Sequence, residues 1–243
     1  MTKLKFDEKK HEYSVNGKKL ISVTTFVKSF FKPFDVKRIA KIVARSRRAK
    51  GEKNSKGKPI TAWDIKREWK ASATFGTRIH NEIETYIKEG VVASNIHERT
   101  QMAIDWLDLA SYPLDKIQTE LKIFDKEIGV AGTIDAVITD GNKVTLIDWK
   151  TNKAIRKTGS KWQNNIISKQ LPDCNYTHYT LQLSLYAYLL ERQGFEIDKL
   201  LLVHLKEYTT PYEVDYRKDI VEMMLNERRR SSNETNKKDN GTT

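Results

Sequence analysis

Between Gly129 and Thr151, two apolar, β-branched runs (Val130 to Thr139 and Lys143 to Trp149) flank Asp140-Gly141-Asn142. Runs of this kind around an Asp-Gly turn predict adjacent antiparallel strands, and no other stretch constrains the fold as much. The pairing brings Asp135 and Asp148 together. Residues two apart on a strand share a face, so Asp148 and Lys150 point one way while Ile147 and Trp149 point the other. Two carboxylates and an amine then converge beside a sheet with an apolar back. That set suits a divalent cation held by carboxylate oxygens, with an ammonium beside it to handle a water or a phosphate. Taken singly, an Asp can simply end a strand, and an Asp-x-Lys pair can be a solvated face. Inside Val/Ile-rich strands an unpaired carboxylate is costly, and together the three residues read as a site.

A chain of 243 residues can bury one good core plus an elaboration, but hardly two full domains. The expected division is a hairpin and basic helical elaboration over 1–70, a core over 71–230 and a disordered tail over 231–243, where no apolar anchor occurs. The formal net charge of +12 favours polyanionic partners, nucleic acid before acidic membrane. No apolar run approaches the ~18 residues of a membrane span. The N-terminal residues look like neither a secretory nor a transit peptide, so the expectation is a soluble, cytoplasmic protein. With the single Cys174, the chain can form no intramolecular disulfide, cysteine-built zinc site or four-cysteine iron–sulfur cluster.

Residues 4–6, 11–15 and 18–21 read as short strands with Asn16-Gly17 as a hairpin turn, and Ser22 caps a helix through Val23, Phe26, Val27 and Phe30. A basic helix follows Pro33. Its Lys41, Arg45, Arg47 and Arg48 are either a solvated face or phosphate contacts. Thr61-Ala-Trp-Asp64 is a capping box opening a helix in which Trp63 and Trp69 read as core. A second helix is expected from Ser72 to about Lys88, with Phe75, Ile79, Ile83 and Ile87 as its buried stripe. Beside that stripe lie Gly76, His80 and Glu84. Histidine and glutamate four apart reach a common point, which suits His80 to a metal or its water, and Gly76 leaves room for a substrate backbone.

Another helix covers Glu98 to Ala110, and Gln118 to Asp125 alternates as a strand in which Glu120 is either a supporting acid or a strand-end charge. Beyond Thr151 a long polar stretch with Lys153, Arg156 and Lys161 leaves the candidate strand, as a substrate-gripping loop or one containing a short helix. The helix from Tyr179 to Gln193 buries Leu181, Leu185 and Leu189, and can present the Gln182 amide and Tyr186 phenol to the site. A buried strand at 199–206, a short segment at 212–216 and a helix at 217–229 complete the reading.

In order, His80, Gly132-Thr-Ile-Asp135, Asp148-Trp-Lys150 and Gln182-Leu-Ser-Leu-Tyr186 resemble the PD-(D/E)XK nuclease superfamily, in its RecB-like branch. His11-Glu-Tyr-Ser-Val, Ser22-Val-Thr and Phe75-Gly-Thr-Arg-Ile-His80 are similar to the mitochondrial genome maintenance exonuclease and related phage nucleases. The resemblance implies a mixed α/β fold, with a central mixed four-stranded sheet flanked by helices. It implies Mg²⁺ or Mn²⁺ on His80, Asp135, Asp148 and the Trp149 carbonyl. Lys150 would orient or deprotonate the attacking water, Gln182 and Tyr186 would position the nucleic-acid backbone, and Glu84 would give outer support. An iron–sulfur centre is not carried over, for want of cysteines. The implied activity is DNA phosphodiester hydrolysis on single strands or free ends, with a helicase or recombinase as possible companion. A structure-selective endonuclease and a non-catalytic nucleic-acid-binding module are the rival readings.

Overall fold

Asn16 and Gly17 both take positive φ, +50° and +79°, so a tight turn with the right twist joins β2 (Glu12–Val15) to β3 (Lys18–Ser22). The computed structural model describes residues 4–7, 10, 12–160 and 165–239, with 231–239 as backbone alone. β1 (Leu4–Asp7) pairs antiparallel with β2. The Tyr13 hydroxyl meets Thr133 Oγ1 at 2.9 Å, fastening this hairpin to the central sheet.

The central sheet is built from β4 (Ile117–Asp125), β5 (Val130–Asp140), β6 (Lys143–Lys150), β7 (Glu196–Leu205) and β8 (Thr209–Glu213). It is mixed, because β6 and β7 run parallel while β4–β5, β5–β6 and β7–β8 are antiparallel. Five strands stand where four were expected, β8 being the addition, and β3 joins the same sheet parallel to β5. The short 212–216 segment has too little alternation to announce an edge strand.

Helices cover both faces. On one, α1 (Val23–Lys28), α6 (Asn175–Glu191) and α7 (Lys218–Asp239) bury Phe26, Leu181, Leu185, Leu189 and Met224 against Val144, Leu146, Leu200 and Leu202. On the other, Ile79, Ile83 and Ile87 pack with Leu107 of α4 (Glu98–Leu109) over Ile147, Trp149, Leu201 and Val203. The backbone of α7 runs on to Asp239, into the segment expected to be disordered, because helix already nucleated extends at little cost through residues such as Glu234 and Lys237.

The two helices expected between Thr61 and Lys88 are one, α3 (Ala62–Glu89), since Lys70-Ala-Ser-Ala-Thr74 contains no breaker. Both halves of its capping box form, Thr61 with the Asp64 amide and Asp64 with the Thr61 amide. Its first half lies against α2 (Val36–Ala49), where Ala40, Ala44, Ile60 and Ile65 make a separate small core. Trp69 packs there, but Trp63 is 62 % exposed, contrary to the core role expected for it. The α2–α3 pair therefore forms an arm with its own core, and the second half of α3 belongs to the main sheet. No described helix is long and apolar enough to cross a membrane.

Candidate active site

The β5–β6 ladder stops at Ala136–Ile147, and β5 meets β3 only at Val130 and Ala131. Between those pairings one edge of β5, from Gly132 to Asp135, is left without a neighbouring strand. Asp135 fills the gap, its Oδ2 accepting the Trp149 N–H at 2.9 Å in place of a ladder bond. Side-chain alternation also breaks here. Ile134 and Val137 face the α6 layer, whereas Ala136 and Ile138 face the α3 layer. Opposite, Glu120 takes φ +49°, a left-handed conformation that is strained for a residue with a side chain.

These distortions join side chains from both layers. From α3, His80 Nδ1 lies 3.4 Å from Asp135 Oδ2. From α6, Gln182 Nε2 donates to Asp148 Oδ1 at 3.2 Å. Lys150 Nζ touches Asp148 Oδ2 and lies 4.6 Å from the centre of the Tyr179 ring. Asp148 is only 3 % exposed, and its Oδ2, although against the ammonium, receives no well-directed hydrogen bond. The nitrogen of His80 and the carboxylate oxygens of Glu120 and Asp135 all lie within 4.8 Å of one another.

The charges are mutually supporting. Burial alone would raise Asp135, but His80 and Lys150 hold it below the ordinary aspartate range. Burial likewise opposes the charge on Lys150, yet Asp148 and Asp135 raise its pKa and keep it an ammonium. His80 is raised by Asp135 against its own burial. Glu120 is pushed up by burial and then by the charges of Asp135 and Glu84, the crowding that a cation relieves.

Of the residues singled out by sequence, His80, Asp135, Asp148, Lys150 and Gln182 come together, and Trp149 contributes its backbone N–H while its ring is buried. Glu120, with sequence arguments evenly divided, stands in the inner cluster. Glu84 lies close enough to act on Glu120 but its carboxylate is paired with Lys88. Tyr186 does not present its phenol to a cleft. It is 4 % exposed, and its ring lies where a Cβ on Gly132 would be, 2.6 Å from Cε1. Gly76 makes room for the chain's own Thr151, whose Oγ1 would be 3.2 Å from an added Cβ.

Among the expected nucleic-acid contacts, Lys41 and Arg45 are exposed on α2. Arg47 is spoken for by Glu52 and Glu68, and Arg48 donates to the Ile60 carbonyl at 2.7 Å, so both tie the arm together. Lys153 lines a cleft of about 990 Å³ beside the site, with Arg47, Trp69, Phe75, Arg99 and Lys206. Arg156 is exposed, its backbone N–H held by Asn175. Lys161 falls outside the described residues.

Sequence reasoning missed Tyr179, although it lies three residues before Gln182 on the same helical face. It also missed Arg99 and His204, which donate to or meet the carbonyls of Thr151 and Asn152 at 2.8 and 2.6 Å and clamp the exit of β6. No local signal marks those two.

No curated protein matches the chain. LHK-Exo, solved in complex with dAMP, is 12 % identical over 91 % of this chain and 93 % of its own, with a TM-score of 0.41. A phage related exonuclease from Haemophilus somnus 129PT is 9 % identical over 86 % of this chain and 89 % of its own, at 0.33. Both likenesses are too distant to carry weight. The family profile is different in kind: it matches residues 62–238, spanning α3, the central sheet and α6, and so the chain belongs to the PD-(D/E)XK nuclease superfamily.

Proposed function

We propose that the chain is a metal-dependent deoxyribonuclease, an exonuclease or end-processing enzyme acting on single strands or free ends. The observation that carries this reading is the meeting of His80, Glu120, Asp135, Asp148 and Lys150 where β5 and β6 part. An imidazole nitrogen and carboxylate oxygens suit Mg²⁺ or Mn²⁺, and the ill-satisfied Asp148 Oδ2 fits such an ion as well. His80, Glu120 and Asp135 would hold it, with Asp148 alongside. When bound, such an ion supplies Lewis-acid stabilisation of phosphoryl charge and a more acidic water.

The chain's own groups do the positioning. Gln182 fixes Asp148, and Asp148 with the Tyr179 ring fixes Lys150. The ammonium then faces the charge that builds on a phosphate under attack, where a preorganised cation acts most strongly. The cleft of about 990 Å³, with cations and aromatic rings in its wall, leads a single strand toward this centre under the arm.

End-labelled linear and circular DNA, single- and double-stranded, incubated with Mg²⁺ or Mn²⁺ and with chelator, tests the proposal. Linear strands should be degraded and circles spared, with chelator stopping all cutting. Cut circles would select the endonuclease reading, and no cutting of any substrate would remove the enzyme reading. Asp148→Ala and Lys150→Ala should each lower the rate at least ~100-fold while DNA binding persists, the scale of losing a preorganised charge.

A further inference from the structure

We propose that the outer face of the arm, formed by Trp63, Lys66, Arg67 and Lys70 of α3, is a second binding site for single-stranded nucleic acid, outside the catalytic cleft. The proposal rests on the polynucleotide substrate inferred above. These residues recur at the spacing of one helical face. The opposite face, with Ile65, Glu68 and Trp69, packs on α2 and lines the cleft. The outer face therefore looks away from the catalytic entrance. Along the unbroken helix, Trp63 and His80 are 17 positions apart and so roughly 25 Å.

Trp63 is held out by the Arg67 guanidinium, 4.7 Å from its ring centre, so one ring face carries a cation and the ring remains exposed. Lys66 and Lys70 are exposed and have no ion-pair partner among the described residues, unlike Arg47, Arg78 and Lys88, which are paired with acids. Arg67 alone reaches an acid, Asp64 at 3.6 Å. An exposed ring beside two lysines that have no acidic partner among the described residues offers a stacking surface for an unpaired base and contacts for the phosphates on either side. A duplex, with its bases already stacked on each other, would leave the ring unused.

The test uses the full chain in chelator, where no cutting intervenes, and two oligothymidylates. One has about 5 nucleotides, reaching ~17 Å at stacked spacing, and the other about 30. The wild type should bind the longer strand more tightly than the shorter. Trp63→Ala should weaken the longer strand about tenfold with little change for the shorter, Trp63→Phe should restore most of the loss, and Lys66→Glu with Lys70→Glu should lower the salt slope for the longer strand by ~1.4. Equal effects on both lengths, or none, would overturn the proposal, as would charge reversal weakening binding while Trp63→Ala does not. In Mg²⁺, these variants should cut a short strand as the wild type does. A wild type that binds the long strand through Trp63 yet never cuts would strike the nuclease reading and leave this one standing.

Discussion

Gly132 has no side chain because Tyr186 occupies the place one would take. Two motifs that look separate in the sequence, Gly-x-x-Asp and Gln-x-x-x-Tyr, are thus the two sides of one contact that sets β5 against α6 and, with it, the position of Asp135. Gly132→Ala should lower stability by about 1–3 kcal/mol, the range for overpacking a core, with a matching fall in melting temperature. Adding Tyr186→Leu, which withdraws the ring, should recover part of it; a recovery of nothing would mean that the strand, not the ring, rejects the methyl group. The faces of Asp148 and Lys150 were legible from strand alternation alone. The placement of Glu120 was not, because it depends on a left-handed residue inside a strand, which no periodic pattern encodes.

At the scale of elements, the strands and caps followed from local chemistry, as at Asn16-Gly17, Ser22 and Thr61. Boundaries failed where nothing local marked them, as in the unbroken run of α3 through Ala71 and Ala73. The α3–α4 junction shows how such long-range joins are made. Glu82 accepts the His97 N–H at 3.0 Å and bonds also to the Thr100 hydroxyl and Arg78. Burial would raise its pKa, but these donors hold it below the ordinary glutamate range. Because folding lowers this pKa, the stabilisation is complete above the unfolded value of about 4.3 and drains away as pH falls through the folded one. Glu82→Gln should therefore cost about 1–2 kcal/mol at pH 7 and flatten the acid limb of stability against pH. Denaturant melts at a series of pH values check this, and an unchanged acid limb would assign the acid sensitivity to other carboxylates.

For the molecule as a whole, the excess of +12 is unevenly employed. A run of basic residues along α2 looked uniform in sequence, yet Arg47 and Arg48 bond to Glu52, Glu68 and the Ile60 carbonyl, while Lys41 and Arg45 are exposed with no such partner among the described residues. Helical spacing alone does not tell these pairs apart, because the partners come from the following loop and from α3. The two pairs should then answer different measurements. Lys41→Glu with Arg45→Glu removes counterion release without touching an internal bond, so the slope of log binding constant against log salt should fall by ~1.4 for single strands while the melting temperature holds. Arg48→Ala leaves the Ile60 carbonyl without its donor at the loop end of the arm and should lower stability by about 1–2 kcal/mol while shifting the salt slope less. If instead Arg48→Ala moved the slope as much as the Lys41 and Arg45 pair and left stability alone, that guanidinium would belong to the nucleic-acid path and the arm would be held by its apolar core alone.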